Sequence, residues 1–497
     1  MHFEIGHELI KKDGQPARGN PVLYDPENLI NGHMIMLGDS GAGKTHNLRK
    51  FCSQILATAS PELERIYILD AHEDINVPAS FLSFSQSTSC AYNPLDVSAD
   101  PHFGGVNRAI NNFLGLLERS SRALGPQQES VLRTILEDVY AYKGYDANNP
   151  STWDAQYDHQ SQTQINHPER IYLDVPYDER DLAKNIAKED GVSIQFDNDA
   201  RAWWVSSYTQ RLSRWPVKSW GRTPPTLSDV ISAAELRLKR VFLGTDNKGV
   251  IALEEYCRLQ ASFARKAKNI RKSIASGKSE ESVLEDLKRA GDKAEEAIST
   301  FIHKVQSDSN ALQELIRYES SDTIKSILDR LRNLRATGVF RTNPPPFDDN
   351  ALIWRYGLRA YADSERRMFV ENLLERLFQA AVTRGEVDGI REIVVIDEAP
   401  IYLSDDTDHI ISRIINQARK FGLAIILVAQ SPTQFPDQIL AGVGCKIILG
   451  LDPMFHQMAA NKLALPKERI AQIVPRKLIV VNRKVKGGTA RWLPVLL

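Results

Sequence analysis

His33-Met34-Ile35-Met36-Leu37-Gly38-Asp39-Ser40-Gly41-Ala42-Gly43-Lys44-Thr45 is the stretch whose reading decides the fold. An apolar, strand-like run ends in a glycine-rich turn that matches GxxxxGK[ST] in full. A helix pattern follows over 47–58, and a second strand-like run, Arg65-Ile66-Tyr67-Ile68-Leu69-Asp70, comes next. Strand, helix, strand in this order describes a βαβ unit with a parallel sheet. Glycines let the backbone curl so that successive N–H groups point inward at phosphate oxygens, and the following helix adds its positive end. Gly38, Asp39, Ser40, Gly41, Ala42, Gly43, Lys44, Thr45 and His46 are therefore expected to hold a nucleotide, ATP. Lys44 would bridge its terminal phosphates, and the Thr45 hydroxyl would be a ligand for Mg2+. A glycine turn with no ligand is the bland alternative, and it does not explain the strand before and the helix after.

The second motif is Ile393-Val394-Val395-Ile396-Asp397-Glu398-Ala399-Pro400. An apolar strand ending in two carboxylates puts charge at the carboxyl edge of the sheet, beside the glycine-rich loop. Asp397 would then hold the water shell of the metal, and Glu398 would act as general base on the attacking water. A strand end followed by an N-cap is the fold-only reading of the same residues.

Further along, Leu423-Ala424-Ile425-Ile426-Leu427-Val428-Ala429 ends in Gln430. Its amide could touch the γ-phosphate, or simply cap the strand. The preceding helix carries Ile410, Ile411, Ile414, Ile415 and Ala418 on one face, with Arg413 and Arg419 flanking that stripe. Either arginine could reach the ATP of a neighbouring subunit and stabilise transition-state charge, or lie on a solvated flank.

The chain has 497 residues, so more than one compact unit is expected. Four segments are expected: 1–100, the N-terminal segment and first part of the ATPase core; 101–235, a helical and loop-rich insertion; 236–340, a helical hairpin; and 341–497, the rest of the core with a β tail. Residues 143–200 are polar and read as loop, whereas 236–335 are charge-laced and helical. Lys plus Arg (62) and Asp plus Glu (63) nearly cancel, giving a net charge of -1. Any contact with nucleic acid must therefore be local, in a lined channel or patch. Cys52, Cys90, Cys257 and Cys445 show no CxxC pairing, which argues against a zinc module or a disulfide framework. The first residues lack the apolar run of a signal peptide, and no stretch reaches the ~20 apolar residues of a membrane helix. A cytoplasmic enzyme without membrane insertion is the expectation.

The order of motifs resembles the HerA/FtsK superfamily: the glycine-rich loop, then Asp70-Ala71-His72-Glu73-Asp74, Asp397-Glu398, Ala418-Arg419-Lys420-Phe421-Gly422 and Gln430-Ser431-Pro432. Asp70-x-His72 is similar to the HerA branch, whose motif usually continues with a glycine and an acid where this chain has Glu73-Asp74. Asn93-Pro94-Leu95 and Pro225-Thr226-Leu227-Ser228-Asp229 also resemble the conjugation and type IV secretion ATPases. The resemblance implies an α/β P-loop NTPase fold, RecA-like and of the additional-strand catalytic Glu type, with a large helical insertion. It implies a homo-oligomeric ring, usually of six subunits, that uses ATP and Mg2+ to thread DNA through its central channel. A nuclease or other effector partner is implied too, in DNA processing or in defence against phage. HerA proteins commonly begin with a small β-barrel, for which the segment before Gly38 is too short. A conjugation or secretion ATPase and an ATP-gated scaffold for an effector enzyme are the competing readings.

Two other stretches stand out. Trp203, Trp204, Tyr208, Arg211, Arg214, Trp215, Lys218, Trp220 and Arg222 interleave aromatic and basic residues. They could stack on exposed bases, although a buried amphipathic helix with a basic flank is commoner. Arg265, Lys266, Lys268, Arg271 and Lys272 form a basic run that is usually a solvated face. His72 with Asp70 and Glu73 is explained most simply as a strand-end turn.

Overall fold

The computed structural model describes residues 2–497 except 14, 59–60, 121–123, 154–169, 174, 176–178, 198–201, 208, 210, 216–222, 244–246, 269–279 and 307–320. Tyr208, Lys218, Trp220, Arg222, Arg271 and Lys272 therefore lie outside the described residues. The first strands are β1 (Phe3–Lys12), β2 (Gln15–Tyr24), β3 (Met34–Gly38), β4 (Arg65–Asp70) and β5 (Ser80–Ser83). Then come β6 (Ile171–Leu173), β7 (Ile194–Asp197) and β8 (Ala202–Val205). The last are β9 (Ile353–Gly357), β10 (Glu392–Ile396), β11 (Leu423–Ala429), β12 (Cys445–Gly450), β13 (Leu478–Arg483) and β14 (Arg491–Leu496). The helices used below are α1 (Lys44–Thr58), α2 (Val106–Ser120), α3 (Pro126–Tyr142), α4 (Arg180–Glu189) and α5 (Leu227–Leu243). They continue with α6 (Asn247–Lys268), α7 (Glu280–Gln306), α8 (Ser321–Ala336), α9 (Asp363–Arg384) and α10 (Ile410–Gln417).

One unit comprises Met1–Leu95, Arg108–Leu136 and Thr226–Leu497, and is built on a sheet of order β2-β1-β14-β13-β12-β3-β11-β10-β4-β9-β5. From β12 to β5 the neighbours pair in parallel. The central strands are mostly apolar, as expected of a parallel sheet covered on both faces. Every residue of β3, β10 and β11 is buried. Leu48, Phe51 and Ile55 of α1 close one face over Met34, Met36, Ile426 and Val428. This is the α/β P-loop fold the sequence predicts.

The N-terminal segment, expected only as part of segment 1–100, carries strands of its own. It forms the β1–β2 hairpin, and β1 pairs antiparallel with β14, so the sheet is extended at its edge. Half of β2 is exposed, and an edge strand with one solvated face carries too few apolar residues to announce itself.

The second unit comprises Asp96–Asn107 and Glu137–Pro225, a division that cuts across the expected segment 101–235. Its antiparallel sheet, in order β6-β8-β7, packs with α4 around Leu173, Ala183, Ile186, Ala187, Val205, Leu212 and Trp215. Within 143–200 the described residues include β6, α4 and β7, which the sequence did not announce: strands of three or four residues are too short for period-2 alternation to emerge from polar flanks. Trp203 and Trp204 lie on β8, not on a helix. The Arg170 guanidinium sits 4.6 Å from the Trp204 ring and Lys184 Nζ 5.1 Å from that of Trp203.

In the first unit, α6 and α7 pack along each other, the bare face of Gly291 against the ring of Phe263. Helix α5 packs on α8 and is tied to it by an Arg332–Glu235 ion pair of 2.8 Å. Among the described residues no helix is long and apolar enough to cross a membrane.

Candidate active site

Parallel pairing lines up the carboxyl ends of the central strands. Leu37 of β3 lies opposite Ala429 of β11, Ile396 of β10 opposite Leu427, and Leu69 of β4 opposite Ile396. The glycine-rich loop, Gln430, Asp397-Glu398 and Asp70 therefore open on one edge, with β11 as the single strand between the loop strand and the acid strand. Open α/β sheets bind ligands at this edge.

The loop owes its shape to two left-handed glycines, Gly41 at φ 80° and Gly43 at φ 101°. A side chain at Gly41 would meet nothing within 4 Å, so backbone conformation and not space is what calls for glycine there. Lys44 Nζ donates to Gly38 O at 2.7 Å and to Asp39 O at 3.1 Å, which holds the ammonium inside the curl. Asn47 Nδ2 donates to Gly43 O at 2.9 Å and ties the loop to the first turn of α1. Ser40 is exposed on the loop and His46 is exposed in the first turn of α1. Burial, followed by Asp452, pushes the Asp39 carboxyl above its usual range.

Asp397 is buried, and its carboxyl is pushed up to about 6, first by burial and then by the neighbouring Asp70 carboxylate. Oxygens of Asp70, Asp74 and Asp397 all lie within 4.8 Å of one another. These three acids have different duties. Asp70 is fully buried and accepts from the backbone N–H groups of Glu73 (2.7 Å), Asp74 (3.3 Å) and Ile75 (3.0 Å). Arg355 stands 3.7 Å from its other side. Asp70 thus builds the turn, as the strand-end reading holds, and Asp74 is what the turn presents: Thr45 Oγ1 donates to Asp74 Oδ2 at 3.3 Å. Thr45, Asp74 and Asp397 form an all-oxygen, doubly acidic set, which suits a hard cation such as Mg2+.

Glu73 stands where the motif of the resembled HerA branch has glycine. It adopts φ 61°, the left-handed conformation that glycine takes most easily. Its side chain turns away and accepts from Ser83 Oγ at 2.6 Å.

Glu398 is also left-handed, at φ 52°. Its carboxylate lies 2.7 Å from His72 Nε2, and this hydrogen bond is the main reason the His72 pKa is raised. Gln430 is exposed at the end of β11. The two arginines part company. Arg413 makes a 2.8 Å ion pair with Glu375 of α9 and lies 4.9 Å from the Phe378 ring, so it is engaged within its own chain and not on a free flank. Arg419 is exposed on the 3-10 turn that follows α10.

Sequence reasoning missed Asp74, the His72–Glu398 contact and Arg476, whose Nε donates to Gly41 O at 3.2 Å. Asp74 was visible as a motif element, but its aim at Thr45 was not.

Residues 3–167 match the family model described as helicase HerA, central domain, and residues 170–220 match a domain of unknown function, DUF5710. The DNA double-strand break repair helicase HerA of Saccharolobus solfataricus is 25% identical over 257 residues, 47% of this chain and 48% of that protein. The chain thus spans about half the length of the curated relative it matches. VirB4 of Thermoanaerobacter pseudethanolicus superposes with a TM-score of 0.51 at 12% identity, over 99% of this chain and 96% of that one. At that identity the likeness is one of fold. The plasmid coupling protein TrwB, in complex with the non-hydrolysable GTP analogue GDPNP, gives a TM-score of 0.45 at 11% identity, over 100% of this chain and 94% of that one.

Proposed function

We propose that this chain, a HerA/FtsK-type P-loop ATPase, is the motor subunit of a DNA translocase. Its copies form a ring, six being usual in the family, around DNA, and act with a nuclease or other effector in DNA processing or phage defence. The observation that carries the reading is the meeting of Thr45, Asp74 and Asp397 in one oxygen-lined corner beside the glycine-rich loop.

The loop N–H groups and Lys44 would grip the β- and γ-phosphates of ATP. Thr45, Asp74 and Asp397 would hold Mg2+, which when bound neutralises phosphate charge. Glu398 would take the proton of the attacking water as it approaches the γ-phosphorus, and His72 would orient that carboxylate. Gln430, between the two motifs, would touch the γ-phosphate and report its presence. Arg419 is the better placed of the two arginines to serve a neighbouring subunit, since Arg413 would first have to leave Glu375.

Asp74→Asn tests the metal corner. It is expected to raise the Mg2+ concentration needed for half-maximal ATPase by about 10–100-fold, the usual effect of weakening a metal's supporting shell. An unchanged Mg2+ requirement would remove Asp74 from the set.

DNA dependence tests the motor. Duplex DNA is expected to stimulate ATP hydrolysis, and the stimulation should fall as salt rises from 50 to about 200 mM, because phosphate contacts release counterions. A rate indifferent to DNA at every salt concentration would favour the scaffold reading.

A further inference from the structure

We infer that Arg476 is a nucleotide-binding residue, a cation that the C-terminal part of the chain supplies to the phosphate chain of the nucleotide held by its own glycine-rich loop. The inference rests on the ATPase reading above and extends its site.

Val474-Pro475-Arg476-Lys477 is a tight turn, closed by Lys477 N donating to Val474 O at 2.9 Å and flanked by the bridge between Val474 and Leu478. Proline at the second position and a left-handed residue at the third are the usual pattern for such a turn, and the third position ordinarily goes to glycine. Here it is arginine, at φ 65°. A long cationic side chain where glycine would be relaxed is a local cost to the fold, and such costs gather at functional sites.

The turn lies across the loop. The missing Cβ of Gly450 would stand 3.3 Å from Pro475 Cγ, and that of Gly43 3.5 Å from Arg476 Cγ. Arg476 Nε donates to Gly41 O at 3.2 Å, joining residues 435 apart in sequence. That bond uses one donor of the fork and faces a neutral carbonyl. Among the described residues Arg476 has no carboxylate at ion-pair distance, and the side chain is exposed. The guanidinium is thus anchored at the crown of the loop with its two Nη groups uncommitted. A fork of that geometry matches phosphate oxygens. Because Lys44 already serves the interior of the curl, Arg476 would grip the phosphates common to ATP and ADP from outside it.

The test titrates wild-type protein and the Arg476→Ala, Arg476→Gly and Arg476→Lys variants with fluorescent mant-ATP and mant-ADP in Mg2+. Melting temperature is measured without nucleotide, and KM and kcat for ATP are determined. Loss of a charge-assisted phosphate contact is expected to raise Kd for both nucleotides and KM by about 10–100-fold in the alanine and glycine variants. Lysine should recover part of the loss, and kcat at saturation should stay within about two-fold, as for an interaction made equally before and during the reaction. Arg476→Gly should melt, without nucleotide, at or above the wild-type temperature, because glycine relaxes the left-handed position. Binding within two-fold of wild type in both the alanine and glycine variants overturns the assignment. So does a loss of affinity matched by an equal loss of unliganded stability, which would make the side chain a strut. If wild-type protein binds neither nucleotide, the ATPase reading itself fails, a result distinct from either of these.

Discussion

Glu398→Gln is expected to bind ATP as the wild type does and to hydrolyse it about 10²–10⁴-fold more slowly, the usual contribution of a positioned general base. Glutamine keeps the size and the hydrogen-bonding reach of the side chain but cannot accept the proton of water. The carboxylate stands at the end of β10, one residue beyond the buried Asp397 and 2.7 Å from His72 Nε2. Its removal therefore leaves the loop, Lys44 and the metal corner in place. The pair with Glu398 raises the His72 pKa. A raised histidine pKa stabilises the fold below the unfolded value, near 6.5, and the contribution is lost as pH rises through the folded value. Any stability that the charged pair supplies is thus lost once pH has risen through the folded value, and above it the variant should melt with the wild type. Single-turnover hydrolysis beside nucleotide binding reads the effect. A wild-type rate would mean that another group takes the proton.

Lys44→Ala should cut activity by a different route. Its ammonium lies inside the curl on two backbone carbonyls, Gly38 O and Asp39 O. Phosphate oxygens would take over that ammonium without any carboxylate having to be displaced. With it gone, the loop keeps its N–H groups but loses the one cation in its interior. A fall of about 10²–10³-fold in turnover is expected, the scale for removing one preorganised donor from a developing charge, together with weaker ATP binding. The two variants are told apart by affinity, which Lys44→Ala loses and Glu398→Gln keeps. Equal ATP affinity in Lys44→Ala and wild type would detach Lys44 from the phosphates.

Much of the core could be read from local pattern. Strands β3 and β11 are buried on both faces and wholly apolar, and β4, β10 and β12 carry apolar runs broken only by Arg65, Asp70, Glu392 and Lys446. A run of that kind is visible in any window. The antiparallel hairpin β1–β2 was not, because β2 carries Gln15, Pro16, Arg18 and Asn20 on solvated positions. The small sheet of the second unit was missed for a similar reason, its strands being three or four residues long. Arg413 was legible as a helix flank, but its engagement by Glu375 depends on how α9 packs against α10.

By itself the sequence determined that a glycine-rich loop joins a strand to a helix, and that two acids close another apolar strand. Both are properties of consecutive residues, written in backbone conformation and side-chain period. Only the tertiary structure decided what faces what. Thr45 meets Asp74 across 29 residues, His72 meets Glu398 across 326, and Gly41 meets Arg476 across 435. Those meetings depend on strand order and register, which place distant carboxyl ends side by side on one sheet edge, and no local pattern encodes them.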